Sequence, residues 1–171
     1  MNLSEEKNLS SFQRGSIKLD VGCGDVKHEG FTGIDYRKTE AADIVHDLEM
    51  FPWPLKDESC FEAISLHVIE HINPHKGVFM KFMDEVWRVL IPNGTFYIAT
   101  PHAGTTRYFQ DPTHCNPCVA ETFYYFDCKH EYYTIYRPKP WSIENIRRNN
   151  LGDLEILLKK CLTSKEKKHQ L

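Results

Sequence analysis

Ser16-Ile17-Lys18-Leu19-Asp20-Val21-Gly22-Cys23-Gly24 alternates polar with apolar residues and then stops on two glycines. That pattern predicts a short strand running into a tight turn, at which bare backbone is open to close approach. Phe31-Thr32-Gly33-Ile34-Asp35 predicts a second strand ending in a carboxylate, and Asp43-Ile44-Val45-His46 a third. After the turn Phe51-Pro52-Trp53-Pro54, the run Phe61-Glu62-Ala63-Ile64-Ser65-Leu66 predicts a fourth. Val78, Phe79, Phe82, Val86 and Leu90 recur at helical spacing, so Val78 to Leu90 is read as an amphipathic helix. Pro92-Asn93-Gly94 is read as its stop, with Thr95 to Thr100 as a fifth strand. Strands alternating with a crossover helix imply a Rossmann-like, doubly wound α/β fold with a mostly parallel sheet.

The rest of the chain fits around that frame. Trp141 to Ile146 and Asp153 to Leu158 flank Asn149-Asn150-Leu151-Gly152, which predicts a C-terminal antiparallel hairpin. A helix over Asn150 to Cys161 is the competing reading. The whole of 1–171 is read as a single domain, with an N-terminal arm over 1–14 and a flexible tail over 162–171. Lys159, Lys160, Lys165, Lys167 and Lys168 make a basic stretch read as solvated and frayed.

Composition narrows the function classes. The chain has 171 residues, 41% hydrophobic and 26% charged, which is ordinary for a globular protein. No apolar run approaches the ~20 residues of a membrane helix, and the first residues lack a secretory pattern, so a cytoplasmic location is expected. A net charge of −3 argues against nucleic acid as the main partner. Six cysteines without a disulfide-framework pattern read as thiols in a reducing compartment. The sequence does not set the oligomeric state.

In open parallel sheets, ligands bind beyond the carboxyl ends of the strands, where the glycine turn lies. Asp35 falls where an acid can accept hydrogen bonds from two ribose hydroxyls, and Asp47 where one can accept from an adenine amino group. The ordered set resembles the class I S-adenosylmethionine-dependent methyltransferases. It is carried by Leu19-Asp20-Val21-Gly22-Cys23-Gly24, Gly33-Ile34-Asp35, His46-Asp47-Leu48, Leu66-His67-Val68-Ile69-Glu70-His71 and Val86 to Gly94. The resemblance implies S-adenosylmethionine as cofactor. Gly22 and Gly24 would then line its methionine part, with Asp20 and Cys23 also binding the cofactor, Asp35 at the ribose, Asp47 and Leu48 at the adenine, and His67 near the amino group.

One departure stands out. Only Asp25-Val26-Lys27-His28-Glu29-Gly30 separates the glycine turn from the second strand. Six extended residues reach about 20 Å at ~3.3 Å each, enough to return along a short strand but not to form a crossover helix. The helix dipole that would favour the cofactor's carboxylate is therefore missing. Lys18, Lys27 or Arg14 is expected to supply positive charge instead.

Pro101 to Tyr136 breaks the strand–helix pattern and is read as a lid over the cofactor. Methyl transfer to a hydroxyl needs a proton acceptor near the reacting oxygen. His102, Asp111 and His114 are the candidates, the bland alternative being that Asp111 and His114 cap local turns. Cys115 and Cys118 are either half of a zinc site with His114, Cys128 or His130, or small buried hydrophobes; no metal ligands are assigned. The leading reading is methyl transfer to a small-molecule acceptor, the hydroxyl of a metabolite or glycan. The alternative is a non-catalytic methyltransferase-like binding module, with or without a zinc staple.

Overall fold

Asp20 decides how the first crossover is built. Its buried carboxylate accepts both the backbone amide and Nδ1 of His28, each at 2.9 Å. The short loop between the first two strands is thus held by a side chain where a helix would otherwise span. In this computed structural model, which describes residues 14–162, no helix lies between β1 (Ile17–Val21) and β2 (Thr32–Asp35). The six-residue spacing foretold this.

β3 (Ile44–Val45) and β4 (Cys60–Leu66) follow as expected. Helix α1 (Val78–Val89) buries Phe79, Phe82, Met83 and Val86 on one face, about 18 Å of helix at 1.5 Å per residue. Trp53 meets Phe82 edge-on, with ring centroids 5.6 Å apart, and its backbone amide donates to the buried Glu85 carboxylate at 2.6 Å. The Pro-rich turn is thereby pinned to the helix.

The end of α1 departs from expectation. Pro92-Asn93-Gly94 does not separate helix from strand, because β5 (Leu90–Pro101) begins at once. Pairing with β4 jumps from Cys60–Leu90 to Glu62–Thr95, so these residues are extruded as a bulge inside the strand. Asn93 takes the left-handed conformation that the bulge requires, at φ 65°.

The seven strands lie in the order β3-β2-β1-β4-β5-β7-β6. The first five are parallel; β7 (Asp153–Lys160) runs antiparallel to both β5 and β6 (Trp141–Arg148). This is the α/β Rossmann-like sheet with a C-terminal hairpin. The helical alternative for the last segment fails because Leu154, Ile156, Leu158 and Lys160 are buried at alternate positions, a strand period. The Asn149 side-chain carbonyl closes the turn, accepting the amides of Leu151 and Asp153 at 2.9 Å.

Lys160 corrects the reading of a solvated basic stretch. It is 2% exposed, and its Nζ donates to the Leu90 carbonyl at 2.6 Å while lying 3.7 Å from the Trp87 ring centroid. The other lysines of that stretch, Lys159 apart, and most of the N-terminal arm lie outside the described residues.

Between β5 and β6 the chain forms three short helices, α2 (Thr106–Phe109), α3 (Ala120–Tyr124) and α4 (Tyr133–Tyr136). Phe123 and Phe126 anchor the segment in the core. The amides of Cys115 and Asn116 both donate to the Glu70 carbonyl, at 2.9 and 3.0 Å. Those two bonds bring the segment onto the loop that follows β4.

Candidate functional site

The strand order reverses direction between β1 and β4, and the loops leaving those two strands open a crevice at their carboxyl ends. Gly22 allows them to meet there. Its φ is 74°, and a Cβ would stand 2.4 Å from Val68 Cγ2 on the loop after β4, so only glycine fits. The cleft has a volume of about 780 Å³, within the range of small-molecule sites.

Gly22, Cys23, Gly24, Asp35, Asp47, Leu48 and His67 all line this cleft. The Gly24 amide donates to Asp35 Oδ2 at 2.8 Å, and the Arg37 amide to Oδ1 at 2.9 Å. The carboxylate is thus fixed at the end of β2, and each oxygen retains a second lone pair for a ligand. Asp47 is exposed and holds its own turn through the Glu49 amide at 2.9 Å. The Cys23 thiol is pushed up to about 11 by burial and by Asp35, Asp20 and Asp43, so it stays protonated. Asp20 is the exception: its carboxylate serves His28, and it is not among the residues lining the cleft.

The expected cations are elsewhere. Lys18 pairs with Glu62 at 2.8 Å, Lys27 with Asp43 at 2.5 Å, and Arg14 with Glu58. None lines the cleft; Arg37 does, with Nε 3.6 Å from Asp35 Oδ1. Its position two residues beyond the strand-ending acid was the available signal.

His67 sits in the left-handed conformation, at φ 55°, with its amide donated to the Ala99 carbonyl at 2.8 Å. That turn aims its half-exposed ring along the cleft wall. The Glu70 carboxylate, 3.4 Å from Nδ1, pushes the imidazole above its ordinary pKa, burial opposing. Glu70 is fully buried and accepts from Thr100 Oγ1 at 3.0 Å.

Three residues were expected to take part in proton transfer, and the fold separates them. His102 is not among the cleft-lining residues, and its Nδ1 accepts the Gly104 amide at 2.9 Å. Asp111 accepts both the amide and the hydroxyl of Thr113, at 2.8 and 2.7 Å, and those bonds hold its carboxyl below the usual range. The turn-capping reading therefore applies to Asp111. His114 packs edge-on against His71, ring centroids 4.7 Å apart, with Asp111 Oδ2 3.9 Å from its Nε2. His71 and Thr113, neither singled out from sequence, line the cleft beside them.

Among the described residues, Cys115 and Cys118 do not converge with other metal-ligating side chains. Cys118 is buried, its thiol pushed up to about 12 chiefly by burial. Cys115 is exposed, and its thiol donates to the His71 carbonyl at 3.4 Å. Among the described residues, the group with metal-ligating atoms close together is Glu70, His71 and His114, with no cysteine in it.

No protein-family model matches the chain, and none of the curated proteins does. Solved structures do. A SAM-dependent methyltransferase from Archaeoglobus fulgidus shares 15% identity and a TM-score of 0.62, with 89% of each chain covered. One from Methanosarcina mazei shares 17% identity and a TM-score of 0.57, over 90% of this chain and 96% of that one. The 1,6-didemethyltoxoflavin-N1-methyltransferase of Burkholderia thailandensis, solved with 1,6-didemethyltoxoflavin and S-adenosylhomocysteine bound, gives 12% identity and a TM-score of 0.60. That match covers 87% of this chain and 72% of that one. Likeness at such identities is likeness of fold.

Proposed function

On the class I S-adenosylmethionine-dependent methyltransferase fold that this chain adopts, we propose that it transfers a methyl group from S-adenosylmethionine to a hydroxyl of a small molecule, a metabolite or a glycan. The observation that carries this reading is the meeting of Gly22, Gly24, Asp35, Asp47, Leu48 and His67 in one cleft at the β1/β4 crevice. Asp35 holds the ribose, Asp47 and Leu48 flank the adenine, and the glycine turn passes the methionine part. The acidic lining suits a cofactor whose sulfonium is cationic, while Arg37 takes over the role of the missing helix dipole toward the carboxylate.

The acceptor enters from the side of Thr113 and His114, so that its oxygen faces the methyl carbon in line with the breaking S–C bond. Of the three candidates, Asp111 and His114 flank Thr113, which lines the cleft, so they are assigned to activate that oxygen in preference to His102. No helix among the described residues is long and apolar enough to cross a membrane. All six cysteines are free thiols.

The shortened first crossover favours one second reading, a module that keeps the cleft but not the transfer. Incubation with S-adenosylmethionine and a panel of hydroxylated metabolites and glycans separates the two. Acceptor-dependent formation of S-adenosylhomocysteine supports the enzyme. Cofactor binding without turnover across the panel supports the module.

A further inference from the structure

Glu70, His71 and His114 each present one ligand atom within 4.8 Å of the others, and His71 lines the cleft. Two features of their surroundings point at a ligand. Glu70 Oε1 is fully buried without a hydrogen bond of good geometry, and the half-exposed His67 Nδ1 faces it at 3.4 Å. A carboxylate oxygen left so in a protein interior is costly unless something positive faces it.

The two imidazoles carry the second feature. His114 Nδ1 lies 2.7 Å from the Tyr108 carbonyl oxygen, which only accepts, so Nδ1 carries the proton and Nε2 a lone pair. His71 Nδ1 lies 3.0 Å from Thr113 Oγ1, whose hydrogen is already donated to Asp111 Oδ1 at 2.7 Å. Thr113 therefore accepts from His71 as well, and His71 Nε2 is left with its lone pair. Both rings are oriented by an outward N–H with the opposite nitrogen bare, the arrangement that metal-binding histidines share. Asp111 Oδ2, 3.9 Å from His114 Nε2, adds a fourth electron-rich atom.

We propose that Glu70, His71 and His114 bind a divalent first-row transition-metal ion at the acceptor end of the cleft. Two imidazoles and one carboxylate suit such an ion better than magnesium or calcium, which prefer all-oxygen shells. Bonds of about 2.0–2.2 Å place donor atoms roughly 3–3.5 Å apart. The side chains thus close by about 1.8 Å or less, a movement within reach of the exposed His71. Three protein ligands leave open positions on the ion, and His71 puts it beside the cleft.

This inference rests on the proposed methyl transfer and specifies its acceptor: a compound whose hydroxyl oxygen enters an open position on the ion. The bound hydroxyl loses its proton to water, its acidity raised by the ion. The oxygen then forms the C–O bond as the S–CH3 bond breaks, and that electron pair stays on sulfur, leaving a neutral thioether and a methyl ether. His114 acts by holding the ion and does not take the proton itself.

The test uses the purified chain after treatment with a chelator, titrated with Zn2+ by calorimetry and with Co2+ by absorption. One ion per chain is expected, with Co2+ visible bands and no near-ultraviolet thiolate charge transfer. His71→Ala and His114→Ala should each weaken Zn2+ binding at least tenfold, and Thr113→Val, which frees the His71 ring, about 10–100-fold. S-adenosylhomocysteine affinity, measured in His114→Ala, should be retained, since His114 does not line the cleft. Absence of Zn2+ binding by the parent chain, a thiolate band, or parent-like affinity in both histidine variants would overturn the site. If Zn2+ binds as expected but S-adenosylhomocysteine does not bind the parent chain, the site stands and the methyl-transfer reading fails.

Discussion

The amide of Gly24 donates to the carboxylate of Asp35 at 2.8 Å, so the turn after β1 is tied to the last residue of β2. The bond joins the two parts of the cleft expected to hold opposite ends of the cofactor's ribose-methionine unit. With no helix between those strands, Asp35 stabilises the turn as well as lining the cleft. Asp35→Ala should weaken S-adenosylhomocysteine binding by about 1.5–3 kcal/mol, the range for hydrogen bonds to a charged group. Calorimetry on the variant checks this, and unchanged affinity would place the ribose contact elsewhere.

Cys23 reports on the same turn by its reactivity. Burial and the neighbouring carboxylates of Asp35, Asp20 and Asp43 disfavour the thiolate and set its pKa at about 11. At pH 8 only about one thiol in a thousand is ionised, and the fraction rises about tenfold per pH unit up to that pKa. Alkylation by iodoacetamide, followed by peptide mass spectrometry, should therefore be slow at pH 8 and climb steadily above it. Because Cys23 lines the cleft, S-adenosylhomocysteine should slow it further. Rapid labelling at pH 8 would show that the carboxylates do not surround it.

Lys160 tests the hairpin independently of the cleft. Lys160→Ala leaves the Leu90 carbonyl without its donor, at a cost of about 1–3 kcal/mol, and removes the cation from the Trp87 ring, worth up to about 2 kcal/mol. Urea unfolding should show a loss of about 2–4 kcal/mol, with S-adenosylhomocysteine affinity retained in the folded fraction. A change below about 0.5 kcal/mol, ordinary for a surface residue, would mean that the lysine is solvated after all.

The segment from His102 to His114 should close over the bound cofactor. Phe109 is 75% exposed, and the backbone hydrogen bonds between Thr105 and Gln110 are local turns, with Arg107 Nε tied to Asp153 at 3.0 Å. Beyond His114, by contrast, the amides of Cys115 and Asn116 are fastened to Glu70. Hydrogen exchange should slow between His102 and His114 when S-adenosylhomocysteine is added, while Thr95 to Ala99 stays slow throughout. Equal protection in both states would make the segment static packing.

Much of this arrangement was legible along the chain because it depends on local rules. The Val21-Gly22 turn, the six-residue crossover and the acid at the end of β2 all follow from strand alternation, glycine and chain reach. The bulge at Asn93 was read as a stop because a Pro-Asn-Gly sequence suits either, and only pairing with β4 chooses between them. Lys160 was misjudged because its alternation with Leu158 and Ile156 was outweighed by the charge of its neighbours. Asp20 was assigned to the cofactor from its motif, whereas the shortened loop claims its carboxylate for His28. The meeting of Glu70 and His71 with His114 was out of reach, since it depends on a tertiary attachment through the Glu70 carbonyl.

The central claim is that the cleft at the β1/β4 crevice holds S-adenosylmethionine, and a calorimetric titration of the unmodified chain with S-adenosylhomocysteine addresses it most directly. The account predicts saturable binding of one ligand per chain, weakened in Asp35→Ala. Absence of heat up to about 1 mM ligand, where binding would be worth less than about 4 kcal/mol, would contradict it.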